Sequence, residues 1–194
     1  MRDVTDNKNG ARNIANYILQ FVKNPIREIS QLPEWSWRTA IWVQIILSMI
    51  SGVLAGLIKP NFFGVLFGII MLPVISTVMV SLLTAFLYYY FQVFEQRTTP
   101  ALRLFVLSVL SSIPFFIFQI ASPWIPPITL VGFAFSSMLL AVGLGDNFQV
   151  EKKKAIRLAI VLFSIVLIVW IGNQINSYRM ERSAVQQARP DYGN

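Results

Sequence analysis

Cysteine and histidine are both absent from this 194-residue chain. Without thiols there is no disulfide, no thiol nucleophile and no thiolate metal ligand. Without imidazole there is no histidine metal site, no triad and no proton relay through a ring nitrogen. Missing thiols also leave nothing to report on redox compartment. Charge is scarce too. Asp, Glu, Lys and Arg make up 13% of the chain, about half of the ~25% usual in soluble domains. The scarcity is uneven. Five apolar stretches, about 39–58, 62–91, 101–121, 125–144 and 155–175, hold no Asp, Glu or Lys and only two Arg, Arg103 and Arg157. Ion coupling and intramembrane acid–base chemistry normally need a buried ionisable group. The stretches offer none.

What is present is apolar length. The chain is 55% hydrophobic, above the ~45–50% of soluble domains, and the excess sits in the five stretches. Each is long enough to cross a ~30 Å hydrocarbon core as a helix rising ~1.5 Å per residue. The expected fold is therefore all-α, a polytopic five-transmembrane-helix bundle with an N-terminal amphipathic interfacial helix. The expected division is a disordered start over 1–10, an amphipathic helix over 11–38, a membrane domain over 39–175 and a flexible tail over 176–194. No cleavage-like site precedes the first span, so it reads as an uncleaved anchor.

The net charge is +7. The basic residues lie beside apolar spans, where they set orientation, so nucleic acid is not the expected partner. Arg2, Lys8, Arg12, Lys23, Arg27 and Arg38 precede span one. Arg97 and Arg103 lie between spans two and three, and Lys152, Lys153, Lys154 and Arg157 between four and five. These are twelve of the sixteen basic residues; only Lys59, Arg179, Arg182 and Arg189 fall on the opposite side. The positive-inside rule then places the N-terminus in the cytoplasm and the C-terminus outside. Trp35, Trp37 and Trp42 at one face, and Trp124 and Trp170 near the other, read as interfacial anchors.

Between residues 11 and 32, Ile14, Ile18, Phe21, Val22, Ile26, Ile29 and Leu32 recur at helical spacing. Arg12, Asn16, Gln20, Lys23, Arg27 and Gln31 form the other face. Asn24-Pro25 reads as an N-cap followed by proline at the first helical position. The segment is expected to lie on the cytoplasmic leaflet; the alternative is that its apolar face docks onto the bundle or a partner. Ser48, Gly52 and Gly56 form a small-residue stripe on span one, and Gly64 and Gly68 form another on span two. Such stripes let helices approach closely, so the two spans are expected to pack as a hairpin. Pro73 should kink span two by freeing the Ile69 carbonyl. Pro114 should free the Leu110 carbonyl in span three, with Ser111 and Ser112 near enough to help satisfy the backbone. Gly145-Asp146-Asn147 reads as the end of span four. The cluster Lys152, Lys153, Lys154 and Arg157 should draw anionic headgroups or a protein partner.

Several of these features resemble the Yip1 family of five-span membrane proteins, particularly its short prokaryotic members. The residues are Asn24-Pro25-Ile26-Arg27 before span one, Thr98-Thr99-Pro100 at the entry to span three, and Ser112-Ile113-Pro114 within it. The proline-rich turn between spans three and four and the basic loop before span five add to the likeness. It covers about residues 20–175. The resemblance implies a five-helix bundle with a cytoplasmic N-terminus, located in a bacterial plasma membrane. Eukaryotic relatives are associated with Rab-type GTPases and membrane traffic. It carries over no site residues.

Two functions follow as expectations. The first is a non-enzymatic protein that organises membrane or partner proteins, alone or as a homo-oligomer. The second is a small transporter or channel for a neutral or hydrophobic solute. It rests on the proline-broken spans and on Gln44, Ser76, Thr77, Ser81, Thr84, Ser111, Ser112 and Gln119. Catalysis is not expected: Ser, Thr and Tyr remain, and no neighbour is placed to activate them. No cofactor or metal is expected.

Overall fold

The computed structural model describes the backbone of residues 4–58 and 62–187, with side-chain surroundings for 11–58, 65, 66 and 68–176. All regular structure there is helical. The order is α1 (Val4–Lys23), α2 (Pro25–Ile29), α3 (Trp37–Ile58), α4 (Phe62–Phe94), α5 (Ala101–Ser111), α6 (Ile113–Ala121), α7 (Ile128–Phe148) and α8 (Lys152–Gln187). Five segments are long and apolar enough to cross a membrane: Trp37–Ile58, Gly68–Phe94, Ala101–Ala121, Ile128–Phe148 and Lys152–Asn176. Helices α5 and α6 are the two halves of one span. The chain is a multi-pass membrane protein.

Helix α3 starts two residues ahead of the expected Thr39 because Ser36 caps it: its hydroxyl accepts from the Thr39 amide at 3.2 Å. Helix α4 passes through Pro73 without ending. Helix α7 also runs further than expected. Gly145-Asp146-Asn147 does not end it; the terminator is Gln149, at φ 52° in the left-handed region. The Val150 amide bonds back to the Leu144 carbonyl at 3.2 Å, a closure one residue wider than the Schellman bond. Helix α4 ends the same way, with Gln96 at φ 50° and Arg97 N–H on the Phe91 carbonyl. Left-handed backbone costs a non-glycine residue about 1–2 kcal/mol, so tertiary contacts must hold both ends.

Helix α1 begins at Val4, inside the stretch expected to be disordered, and α8 continues to Gln187 through much of the expected tail. Residues 1–3 and 188–194 lie outside the described residues, as does the expected turn at Lys59-Pro60-Asn61.

The spans alternate in direction. The starts of α3, α5 and α8 therefore meet the ends of α4 and α7 at one end of the bundle, called here the basic end. Helix α5 is central: every residue from Leu104 to Ser111 is buried. It touches α2, α3, α4 and α7, whereas α8 packs on α7. The outer faces of α4 and α8 stay apolar and exposed, as at Val78, Leu82, Ile160 and Ile168. A lipid-facing surface requires this.

The N-terminal segment differs from a helix resting on a membrane surface. Tyr17 and Glu28 would stand ~16 Å apart along a straight helix. Yet the Tyr17 hydroxyl donates to the Glu28 carbonyl at 3.2 Å, and its ring meets Trp35 edge-on at 5.6 Å. The chain bends back sharply at Asn24-Pro25. Asn24 sits at the N-cap position of α2, without a side-chain cap bond. The apolar side of this elbow is built into the bundle: Phe21, Ile29 and Leu32 belong to the main core, with α2 between α5 and α7. Leu19, Val22 and Ile26 remain exposed on its outer side.

Candidate functional site

The basic end is where charged side chains, the elbow and the helix termini converge. Asn147, in the last turn of α7, holds the elbow in place. Its Nδ2 donates to the Ile29 carbonyl at 2.7 Å and to the Gly143 carbonyl at 3.0 Å. Its Oδ1 accepts from the Leu32 amide at 3.2 Å. One amide side chain thus supplies partners to two backbone groups that the end of α2 leaves open. Beside it, the Ser30 hydroxyl donates to Asp146 at 2.5 Å. Gly143 completes the fit: a Cβ there would stand 3.1 Å from the Ile29 side chain and closer still to Leu107. Burial, and then the charge of Glu28, push the Tyr17 hydroxyl above its ordinary pKa. It therefore stays protonated as a donor to the Glu28 carbonyl.

A second lock joins α4, α7 and α8. Lys154 Nζ reaches Glu95 at 3.0 Å. Arg97 lies 3.9 Å from the same carboxylate. The Arg97 guanidinium donates to the Phe148 carbonyl and lies over the Phe91 ring, 5.2 Å from its centroid. Phe91 and Phe148 pack together at 5.6 Å. This explains why Gln96 and Gln149 tolerate left-handed backbone: the residues on either side are tied down. Glu95 and Arg97 carried no sequence signal beyond their place in a loop.

The basic cluster divides accordingly. Lys154 is committed to Glu95, while Lys152, Lys153 and Arg157 are exposed and have no ion-pair partner among the described residues. Among the packing residues, Ser48 is buried and donates back to the Gln44 carbonyl at 2.9 Å. Gly52 faces Gly68 backbone to backbone, and Gly56 faces Val65. Gly64 lies in α4, but its surroundings fall outside the described residues.

The interior is polar without being charged. Its buried polar side chains are Gln44, Ser48, Ser51, Thr84, Thr99, Ser108 and Ser111. The hydroxyls mostly bond to helix carbonyls. Thr84 donates to Val80 and Ser108 to Leu104. Ser111 and Ser112 donate to the Ser108 and Val109 carbonyls rather than to Leu110. Three bonds among the described residues cross between helices and tie the proline-broken span to its neighbours, the longest joining the Thr84 and Ser108 hydroxyls at 3.5 Å. Ser51 donates to the Phe116 carbonyl at 2.7 Å, and Ser136 accepts from the Phe115 amide at 3.3 Å. Gln44 is the exception: fully buried, with neither amide atom hydrogen-bonded among the described residues.

An apolar groove of about 240 Å³ opens between the elbow and the span-three break. Phe21, Val22 and Pro25 form one wall; Ile113, Pro114, Ile117, Phe118 and Phe135 form the other. Two prolines make it, since each interrupts the helix that would otherwise fill the space. Neither the elbow nor the groove is visible in sequence periodicity.

At this site the Ser30 hydroxyl is bonded to a carboxylate, that of Asp146. Among the described residues, no group of three Asp or Glu comes together to hold a metal. The site consists of a charged rim, an apolar groove and a five-span support. No curated protein and no solved structure matches the chain. The family model of the Yip1 domain matches residues 19–172, from the elbow to the outer part of α8, and on that match the chain belongs to the Yip1 family.

Proposed function

We propose that this Yip1-family protein is a non-enzymatic organiser of membrane or partner proteins, working through its basic end. What carries the reading is the separation of charge from the interior. Among the described residues no Asp, Glu, Lys or Arg is buried, while Lys152, Lys153 and Arg157 stand exposed at one rim. Each basic residue beside an anionic membrane adds ~1 kcal/mol of attraction. The distribution of Lys and Arg supports a cytoplasmic basic end, with α8 leading outward, and the likeness to short prokaryotic members supports a bacterial plasma membrane.

The test is co-purification in native-lipid nanodiscs from the host, weighed by native mass spectrometry. A Lys152→Gln, Lys153→Gln, Arg157→Gln variant leaves the Lys154–Glu95 lock intact. It should lose a stoichiometric protein partner or anionic lipid that the wild type retains. An unchanged particle mass would refute the role of this rim.

A second reading, a small carrier for a neutral solute, draws on Gln44. Its amide is unpaired among the described residues, as is the Thr77 hydroxyl on span two. Solute flux into sealed vesicles, abolished by Gln44→Leu, would favour the carrier over the organiser.

A further inference from the structure

We propose that the elbow thins the leaflet at the basic end, so that the bilayer meets this protein with unequal thickness around its circumference. The inference rests on the elbow and does not depend on the role of the α8 rim.

Apolar reach differs from face to face. Exposed large apolar side chains run along α4 from Ile70 to Phe94 and along α8 from Ile156 to Ile175, ~36 Å and ~28 Å of helix. On α7 they run only from Val131 to Met138, ~10 Å of helix. From there to the basic end, over residues 139–148, the one exposed residue is Asp146. Span three divides in the same way. Ile117 is exposed in α6, whereas the one exposed residue of α5 is Arg103. The basic halves of both spans therefore present no exposed apolar side chain to lipid.

The elbow stands there instead. Phe21, Val22 and Pro25 share a groove with Ile113, Phe118 and Phe135, which lie ~18–26 Å from the basic ends of their spans. The elbow thus reaches about halfway through a ~30 Å hydrocarbon core. Its exposed surface is mixed: Leu19, Val22 and Ile26 stand beside Gln20, Lys23 and Arg27. Such a surface suits the boundary between headgroups and acyl chains, not hydrocarbon on every side. Neither cation has an ion-pair partner among the described residues, where the ion pairs all use Glu95. Snorkelling moves a charge by no more than the length of its side chain. Holding two cations in hydrocarbon costs more than compressing one leaflet by about a helical turn. The boundary therefore moves to the elbow, and Leu19, Val22 and Ile26 anchor it there.

The chain has no cysteine, so single substitutions can carry a nitroxide label. The full-length protein would be reconstituted in dioleoyl phosphatidylcholine vesicles. Label depth would be read by electron paramagnetic resonance from collisions with oxygen and with a water-soluble nickel chelate. Met138 and Val161 are both exposed and lie ~15 Å and ~14 Å from the basic ends of α7 and α8. A bilayer of even thickness would place labels at Met138→Cys and Val161→Cys at equal depth. The thinned leaflet should leave the Met138 label shallower by ~5 Å, about one helical turn. A label at Asn24→Cys, at the apex, should collide with the nickel chelate. Lys23→Leu with Arg27→Leu, both at exposed positions and so compatible with folding, should lower the Met138 label to the depth of Val161. Equal depths without those two changes would overturn the proposal. So would a shallow Met138 label that ignores the loss of both cations. An Asn24 label reached by oxygen but not by nickel would also overturn it, because hydrocarbon or a second copy would then cover the elbow.

Discussion

Replacing Gly52 by alanine should separate α3 from α4. A Cβ at Gly52 would lie 2.8 Å from the Gly68 Cα and 2.9 Å from its carbonyl carbon, with the carbonyl oxygen nearer still. Ordinary contact begins at 3.4 Å, so the Cα shortfall alone is 0.6 Å. The obstructing atoms are backbone and cannot swing aside. The helices must move apart, and the contacts around the crossing are lost with them. Overpacking in a well-fitted core costs ~1–3 kcal/mol, and a backbone-to-backbone clash belongs at the upper end. Gly68→Ala should behave alike, since its Cβ would meet the Gly52 carbonyl carbon at 2.6 Å. Gly56→Ala should be milder: Val65 atoms stand at 3.0–3.1 Å, and one of them is a side-chain methyl. Gly172→Ala is the control, with nothing within 4 Å, and its greater helix propensity should leave stability unchanged or slightly improved. Reversible unfolding in bicelles, followed by tryptophan fluorescence, would rank the four. If Gly52→Ala proved no more destabilising than Gly172→Ala, the described crossing would be wrong.

Two further outcomes are expected. Asn147→Ala should strand the Ile29 carbonyl and the Leu32 amide, costing about 2–3 kcal/mol. Hydrogen exchange should show lost protection at Leu32 and in α2 while the centre of α5 stays protected. Gln44→Leu should stabilise the protein by about 1–3 kcal/mol, because an unpaired buried amide is replaced by an apolar group of similar length. Thermal unfolding would check it, and a destabilised variant would mean that the amide is paired in the fold and would remove the observation behind the carrier reading.

Much of this protein could be read before folding because a bilayer imposes simple demands. Twenty apolar residues without charge suffice to place a span, so five spans followed from composition. The uneven Lys and Arg counts pointed to one orientation for the same reason. The small-residue stripes were equally visible, since their spacing needs no knowledge of a partner. Local rules failed where long-range contacts set the outcome. Gly145 looked like the end of α7, yet the helix continues to Phe148, because Arg97 on the Phe148 carbonyl and Asn147 on the elbow make Gln149 the better stopping place. The periodic face of residues 14–32 suited a membrane surface as well as a bundle. Only the fold decided between them, by placing Gly143 and Asn147 where Ile29 and the end of α2 could be received. Lys154 looked like its neighbours until α4 brought Glu95 beside it. Sequence alone determined which segments enter the membrane, because that depends on each segment's own transfer energy. Tertiary structure decided which polar groups find partners and where the groove opens, because those depend on contacts between residues as much as 118 positions apart.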